Sequence, residues 1–463
     1  MLQEAERRVD ERPEERPERW PIGKIDLIGA TLAVVGGGVW VYAHFDDVGL
    51  ALNEDLWFQA DSGRAFADMV WHDSGHVRSS VHPLFVLVAL PVVYLFRKVG
   101  HLDPMQAVRL FSSLVAGLWL ATFYLLFRLL KLPRWEATTF SALAFVAAAP
   151  MFWFTCSETY PLGSLSILAV FVFLATTRDG APSLLRYILV TLISLSMTIT
   201  NGMVGAIATA VRLRWKRVIA VGAASLASLF ALSLLQRAIF PGARLVGQRG
   251  GEEAAFLLDP KLGGPLHIIP AFFLHSVIAP AFGTSVGRVG EPILSFQMSR
   301  PGSSGLLGAL AAGVWIVVLA VGLWGIVSSR IDGRFRAALG LALAGQLLLH
   351  LVYGDETFLY SLHFAPLLIL VAALGAQTRA RTLVLALVVP LVFLAAVNNY
   401  RVFKQARAFA LQNRRISPSM ATATDEARPR PIRVSPRCRR SPPPPARFLP
   451  TERARLARRE SGR

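Results

Sequence analysis

Apolar positions along this chain gather into blocks of about 17–25 residues, the length a helix needs to cross a hydrocarbon core of roughly 30 Å. Lipid offers no partner to a backbone amide, so such blocks must bond within themselves as helices. The pattern predicts spans at about 25–43 (IDLIGATLAVVGGGVWVYA), 106–128, 136–154, 160–176, 184–199, a short one at 203–213, then 217–239, 304–328, 335–353, 358–376 and 382–398. Two further apolar pieces, 82–98 and 266–283, are read as helices lying along the outer surface. The first of them carries Pro83 and Pro91. The expected fold is an all-α membrane protein, a polytopic bundle of about 10–11 transmembrane helices with juxtamembrane helices in the first outer loop.

Charge orients the bundle. Loops on the cytoplasmic side favour Lys and Arg. The loop 44–80 holds seven acids (Asp46, Asp47, Glu54, Asp55, Asp61, Asp68, Asp73) and two arginines, so it reads as outside. If 82–98 crossed the membrane, the basic turn with Arg128, Lys131 and Arg134 would also lie outside. If it stays on the surface, that turn is cytoplasmic, as are Arg178, Arg186, Arg212, Arg214, Lys216, Arg217, Arg330, Arg334, Arg336, Arg379 and Arg381. The second topology is preferred for that reason. It divides the chain into a cytoplasmic polar N-terminus (1–24), a first membrane module (25–240), later transmembrane helices with an outer loop (241–400) and a basic tail (401–463). The first span reads as a signal anchor without a cleavage site.

Composition agrees: the 463 residues are 54% hydrophobic and 17% charged, against about a quarter charged in soluble domains. The net charge of +18 does not imply nucleic-acid binding, because the tail 401–463 alone holds 17 Lys and Arg against 4 Asp and Glu, and no basic domain with interleaved aromatics occurs. The tail is Pro-punctuated and is expected to be disordered and to bind solvent or lipid headgroups. Cys156 and Cys438 have no CxxC or zinc spacing.

The chemistry-bearing residues collect outside. Asp61 opens a stretch, Ala60 to Met69, with apolar and polar positions at helical spacing, and Arg64 follows three residues on. Arg78-Ser79-Ser80-Val81-His82-Pro83 ends the same loop, with Pro83 placed to open the next helix. Glu158 stands in the next outer turn, Trp153 to Tyr160. A later cluster, Tyr353-Gly354-Asp355-Glu356-Thr357-Phe358-Leu359-Tyr360-Ser361-Leu362-His363, opens a late span on the same face; Tyr360 and His363 share a helical side.

An outer-loop D-x-x-R followed by an H-P pair resembles the GT-C superfamily of polytopic glycosyltransferases, which includes aminoarabinose transferases and protein O-mannosyltransferases. The resemblance covers roughly 25–240. It implies a polyprenyl-phosphate-sugar lipid donor, transfer with inversion at the outer face of a bacterial cell (inner) membrane, Asp61 as catalytic base and Glu158 as second acid. Arg64, Arg78 and His82 would bind the substrate phosphate, and Asp355, Glu356, Tyr360 and His363 would enter the pocket from the opposite side. His82-Pro83-Leu84 stands where the family commonly has H-P-P, and no Lys accompanies Thr200. No metal ligand is assigned, since no DxD-type pair is evident; a divalent metal stays open as a cofactor. The partners implied are the lipid donor and membrane lipids, not nucleic acid. Alternative readings are a transporter or lipid flippase, which would carry charges in mid-membrane, and a membrane scaffold acting through its tail.

Overall fold

A computed structural model describes residues 22–45, 56–177, 183–248, 256–257, 263–286 and 292–414. Asp46, Asp47, Glu54, Asp55, Arg178, Cys438 and the tail beyond 414 lie outside the described residues. The protein is mostly helical, 74%, with one two-stranded hairpin. Among the described residues, seven helices are long and apolar enough to cross a membrane: α1 (Lys24–His44), α4 (Pro104–Leu129), α10 (Trp215–Ile239), α12 (Leu306–Ser328), α13 (Gly333–Val352), α14 (Ser361–Gly375, with its leading turn Thr357–Tyr360) and α15 (Arg381–Arg414).

The other elements are shorter. α2 (Ser62–Val70) and α3 (Phe85–Val99) follow the first loop. α3 has 15 residues, about 22 Å at 1.5 Å per residue, too short to cross upright. It begins two residues after Pro83 rather than on it. α7 (Tyr160–Thr176), α8 (Leu184–Met197) and α9 (Gly202–Ala210) are apolar but shorter than the seven. α9, expected as a span over 203–213, has only nine residues, about 14 Å. The piece expected as a surface helix at 266–283 is α11 (Pro265–Pro270) continued by a π-helical turn to His275, then the hairpin β1 (Gly283–Val286) and β2 (Pro292–Ser295).

The expected single span 136–154 is two helices, α5 (Arg134–Val146) and α6 (Ala148–Trp153), broken at Ala147 in extended backbone. Pro150 has no N–H to give to Val146, so a continuous helix would lose that bond. Asn399 of α15 replaces it, donating from Nδ2 to the Val146 carbonyl at 2.8 Å and to the Val277 carbonyl at 2.8 Å. The Asn399 Oδ1 accepts from the Ala279 N–H at 2.8 Å. The Ala148 and Ala149 N–H groups donate to Val277 and Ser276 carbonyls. The irregular backbone after α11 thus lies inside protein, where its groups are paired.

α1 and α4 run antiparallel at close range. A Cβ on Gly117 would run into the Val34 backbone, and one on Gly29 into the Tyr124 ring. Small residues permit this approach where lipid supplies no hydrophobic drive between helices. α14 is the hub: 94% of its apolar window is buried, against 22% for α1 and for α10. Trp153 packs against the start of α14 and Trp119 is buried between α4 and α7, with both indole N–H groups satisfied, by the Phe358 carbonyl with Ser361 Oγ and by Ser164 Oγ respectively.

Candidate functional site

The loop before α2 is fixed by aromatic packing. Phe58 meets Phe296 at 4.8 Å, Phe358 at 5.1 Å and Phe152 at 5.6 Å between ring centroids. Phe58 and Gln59 both adopt left-handed backbone, with φ of 52° and 62°. Such conformations are costly for residues with side chains and persist where packing imposes them. They turn the chain so that Asp61 stands at the start of α2. Asp61 occupies the N-cap position but makes no cap hydrogen bond. Its side chain instead pairs with Arg64 and accepts from Arg78 Nε at 2.8 Å.

Glu158 sits between α6 and α7, buried. Its Oε1 accepts from the Asp61 backbone N–H at 2.7 Å and its Oε2 from the Thr159 N–H at 2.9 Å. Burial pushes its pKa up to about 7, although the Thr159 bond and the charges of Arg78 and Arg64 pull the other way. Thr159 then leads to His82, whose Nε2 lies 3.1 Å from Thr159 Oγ1. His82 Nδ1 faces the Met197 carbonyl at 3.0 Å. A carbonyl only accepts, so Nδ1 carries the proton and Nε2 accepts from the threonine. Burial, aided by Arg78, pulls the His82 pKa down to about 3, so the ring is neutral. Any phosphate contact it makes is therefore that of a neutral ring and not of a cation.

Asp61, Arg64, Arg78, Glu158 and His82 are thus one connected group. Arg78 and His82 also line a cavity of about 180 Å³. Its other walls include Tyr160, Thr198, His350, Tyr353, Tyr360 and His363. The cavity lies among the leading ends of α7, α9 and α14 and the trailing ends of α8 and α13. Tyr360 and His363, three residues apart, both line it. Asp355 and Glu356 do not line it. Glu356 is buried behind the hairpin, where Ser295 Oγ donates to Oε2 at 2.5 Å. Burial pushes its pKa up to about 7 against that bond and backbone N–H groups. Its role here is to tie β2 to the turn before α14.

Two groups escape the sequence pattern. His350, at the end of α13, stacks on Tyr360 with centroids 5.0 Å apart. His76, buried, has Nδ1 3.0 Å from Asp68 Oδ1 and Nε2 2.9 Å from the His72 carbonyl. Both partners only accept, so both nitrogens donate and the ring is an imidazolium. Burial opposes that charge, but the bonds to Asp68 and His72 and the field of Asp68 and Asp73 outweigh it and raise the pKa. His76 has φ of 39° and directly precedes the 3-10 turn Val77–Ser80 that carries Arg78. A histidine two residues before an arginine in a loop has no periodicity to mark it.

Among the described residues no group of three or more His, Cys, Asp and Glu is placed to hold a metal ion. Compared with protein-family models, curated proteins and solved structures, the chain gives no match.

Proposed function

We propose that the protein is a multi-pass membrane glycosyltransferase that moves a sugar from a polyprenyl-phosphate-linked donor to an acceptor hydroxyl at the outer face of a bacterial cell membrane. The seven long helices, with shorter apolar helices beside them, make up its membrane bundle. The observation that carries this reading is that Arg78 serves both the Asp61 carboxylate and the cavity wall. A donor phosphate arriving in the cavity competes for that guanidinium, a group well matched to phosphate. Asp61 is then released from one of its two cations and becomes a base. It takes the acceptor's hydroxyl proton as the acceptor oxygen attacks the anomeric carbon from the face opposite the phosphate. The carbon–oxygen bond to phosphate breaks, the phosphate leaves with the electron pair, and the configuration inverts. Arg78 stays against the departing charge. Glu158 holds the Asp61 main chain in place through its N–H.

The test is transfer from a lipid-linked sugar in vitro, wild type against Asp61→Asn. The amide should lower the rate by about 100-fold or more, the usual worth of a positioned base. Full activity in the variant would remove Asp61 from the mechanism.

A further inference from the structure

The 180 Å³ cavity has an uneven chemical lining. Among the described residues that line it, Arg78 alone carries a permanent charge, at the rim beside Asp61. The remaining wall is hydroxyl, imidazole and apolar: Thr198, Thr200, Tyr160, Tyr360, His350 and His363 are its polar members used here. No carboxylate is among the described residues that line it. Glu158, behind Thr159, gives both oxygens to backbone N–H groups, and Asp61 is engaged by Arg64 and Arg78. Farther in, the groups around Gly163 are His363 Nε2, Thr198 Oγ1 and the Asn201 amide, all without formal charge on a neutral ring. His363 Nε2 and Asn201 Oδ1 are buried with no hydrogen-bond partner. The Tyr353 backbone skirts the His350 ring without closing a bond of good geometry.

A buried charge is costly unless an opposite charge pairs with it. Among the described residues that line the cavity, an ammonium meets no carboxylate, and a carboxylate entering behind a phosphate meets no cation besides Arg78. A ring bearing only hydroxyls can use the threonines, tyrosines and imidazoles, and can lie against the aromatic faces.

We infer that this cavity receives an uncharged, hydroxylated ring, a neutral glycosyl unit, and turns away sugars that bear an amine or a carboxylate. The inference rests on the lipid-linked-sugar reading above. It makes His350, with His363 and Tyr360, part of the specificity of the site.

The experiment uses the full-length protein in lipid nanodiscs. The probes are one polyprenyl phosphate bare, or carrying glucose, glucosamine with a free amine, or glucuronate, with binding read from tryptophan fluorescence. The glucosyl probe should bind at least about tenfold more tightly than either charged probe, the ratio expected when a charge is left unpaired on burial. Equal or tighter binding of a charged probe overturns the inference and leaves the transferase reading standing. Sugar probes that bind no better than bare lipid phosphate overturn both. A second arm places a carboxylate on the wall with Thr200→Asp, using Thr200→Asn as the uncharged control. The aspartate alone should shift the preference toward the glucosaminyl probe by about tenfold. An unchanged preference in a folded Thr200→Asp protein overturns the inference.

Discussion

The two ends of this bundle use charge differently. At the end away from the cavity, carboxylates are locked helix to helix. Asp26 of α1 accepts from Arg128 Nε of α4 at 2.8 Å and from Arg134 Nε of α5 at 2.9 Å. Glu136 of α5 pairs with Arg381 of α15, and Asp332 before α13 accepts from Arg212 after α9 at 2.7 Å. Each bond joins two segments far apart in sequence, and none of these residues lines the 180 Å³ cavity. At the other end Asp61 and Arg78 stand in turns, and Arg78 both pairs with Asp61 and lines the cavity. The first arrangement spends charge on holding the helices; the second keeps charge where a ligand can compete for it. Acid–arginine pairing therefore does not identify a site. What distinguishes one is that the pair borders a cavity.

The sharpest way to break this contrast is to remove one carboxylate from each end. Asp26→Ala takes its partner from Arg128, whose side chain is only 13% accessible, and from the half-exposed Arg134, and should cost about 2–3 kcal/mol of stability, seen as a fall in thermal unfolding temperature in detergent. Asp61→Ala frees arginines that are partly exposed, with 41% and 25% of the Arg64 and Arg78 side chains accessible. It should leave unfolding nearly unchanged while abolishing transfer. Equal destabilisation by both would erase the distinction between the ends. Next in size, Asn399→Leu orphans the Val146 carbonyl and the Ala279 N–H and leaves the Val277 carbonyl with the Ala148 N–H alone. The expected loss is about 2 kcal/mol, and Asn399→Asp, which keeps the acceptor alone, should recover only part of it. Gly117→Val should cost about 1–3 kcal/mol by prising α1 from α4, without altering ligand binding at the far end.

The smallest effect is a pH dependence confined to the cavity end. A histidine with a raised pKa contributes stability that is complete below its ordinary value and is lost as pH rises through the folded value. The His76–Asp68 bond should therefore weaken above about pH 6.5. Glu158 acts in the same direction. Its folded pKa of about 7 lies above the ordinary 4.5, so the folded state holds the proton more tightly and stability declines as pH rises across that window. Unfolding temperatures measured from about pH 5 to 9 should fall, and should fall less in His76→Gln and in Glu158→Gln. A slope untouched by both substitutions would place the titration elsewhere.

Much of this architecture can be read from periodicity and charge. The long apolar blocks and the meeting of Asp61 with Glu158 at one end of the bundle follow from span counting and from Lys and Arg placement. The break at Ala147 is only half legible: Pro150 marks the missing N–H, but the groups that satisfy the freed backbone, Asn399 and the Val277 and Ser276 carbonyls, lie far along the chain. Asp355 and Glu356 look like site acids because they open a span beside Tyr360. Only the hairpin, whose Ser295 binds Glu356, shows that one of them has a structural task. His350 ends an apolar helix as many interface residues do, and nothing local marks it as a wall of the cavity.

The Asp26 lock has a consequence for biosynthesis. Its partner Arg128 lies 102 residues downstream, so at a synthesis rate of about 5–20 residues per second α1 exists for roughly 5–20 s before that partner is made. During that interval a carboxylate at the edge of an apolar helix has neither of its arginines. The glycine face of α1 likewise has no α4 to receive it. The first helix is therefore an unfinished element that stays at the membrane surface or with the insertion machinery, and it is completed when the fourth arrives with both the charge and the groove it lacks.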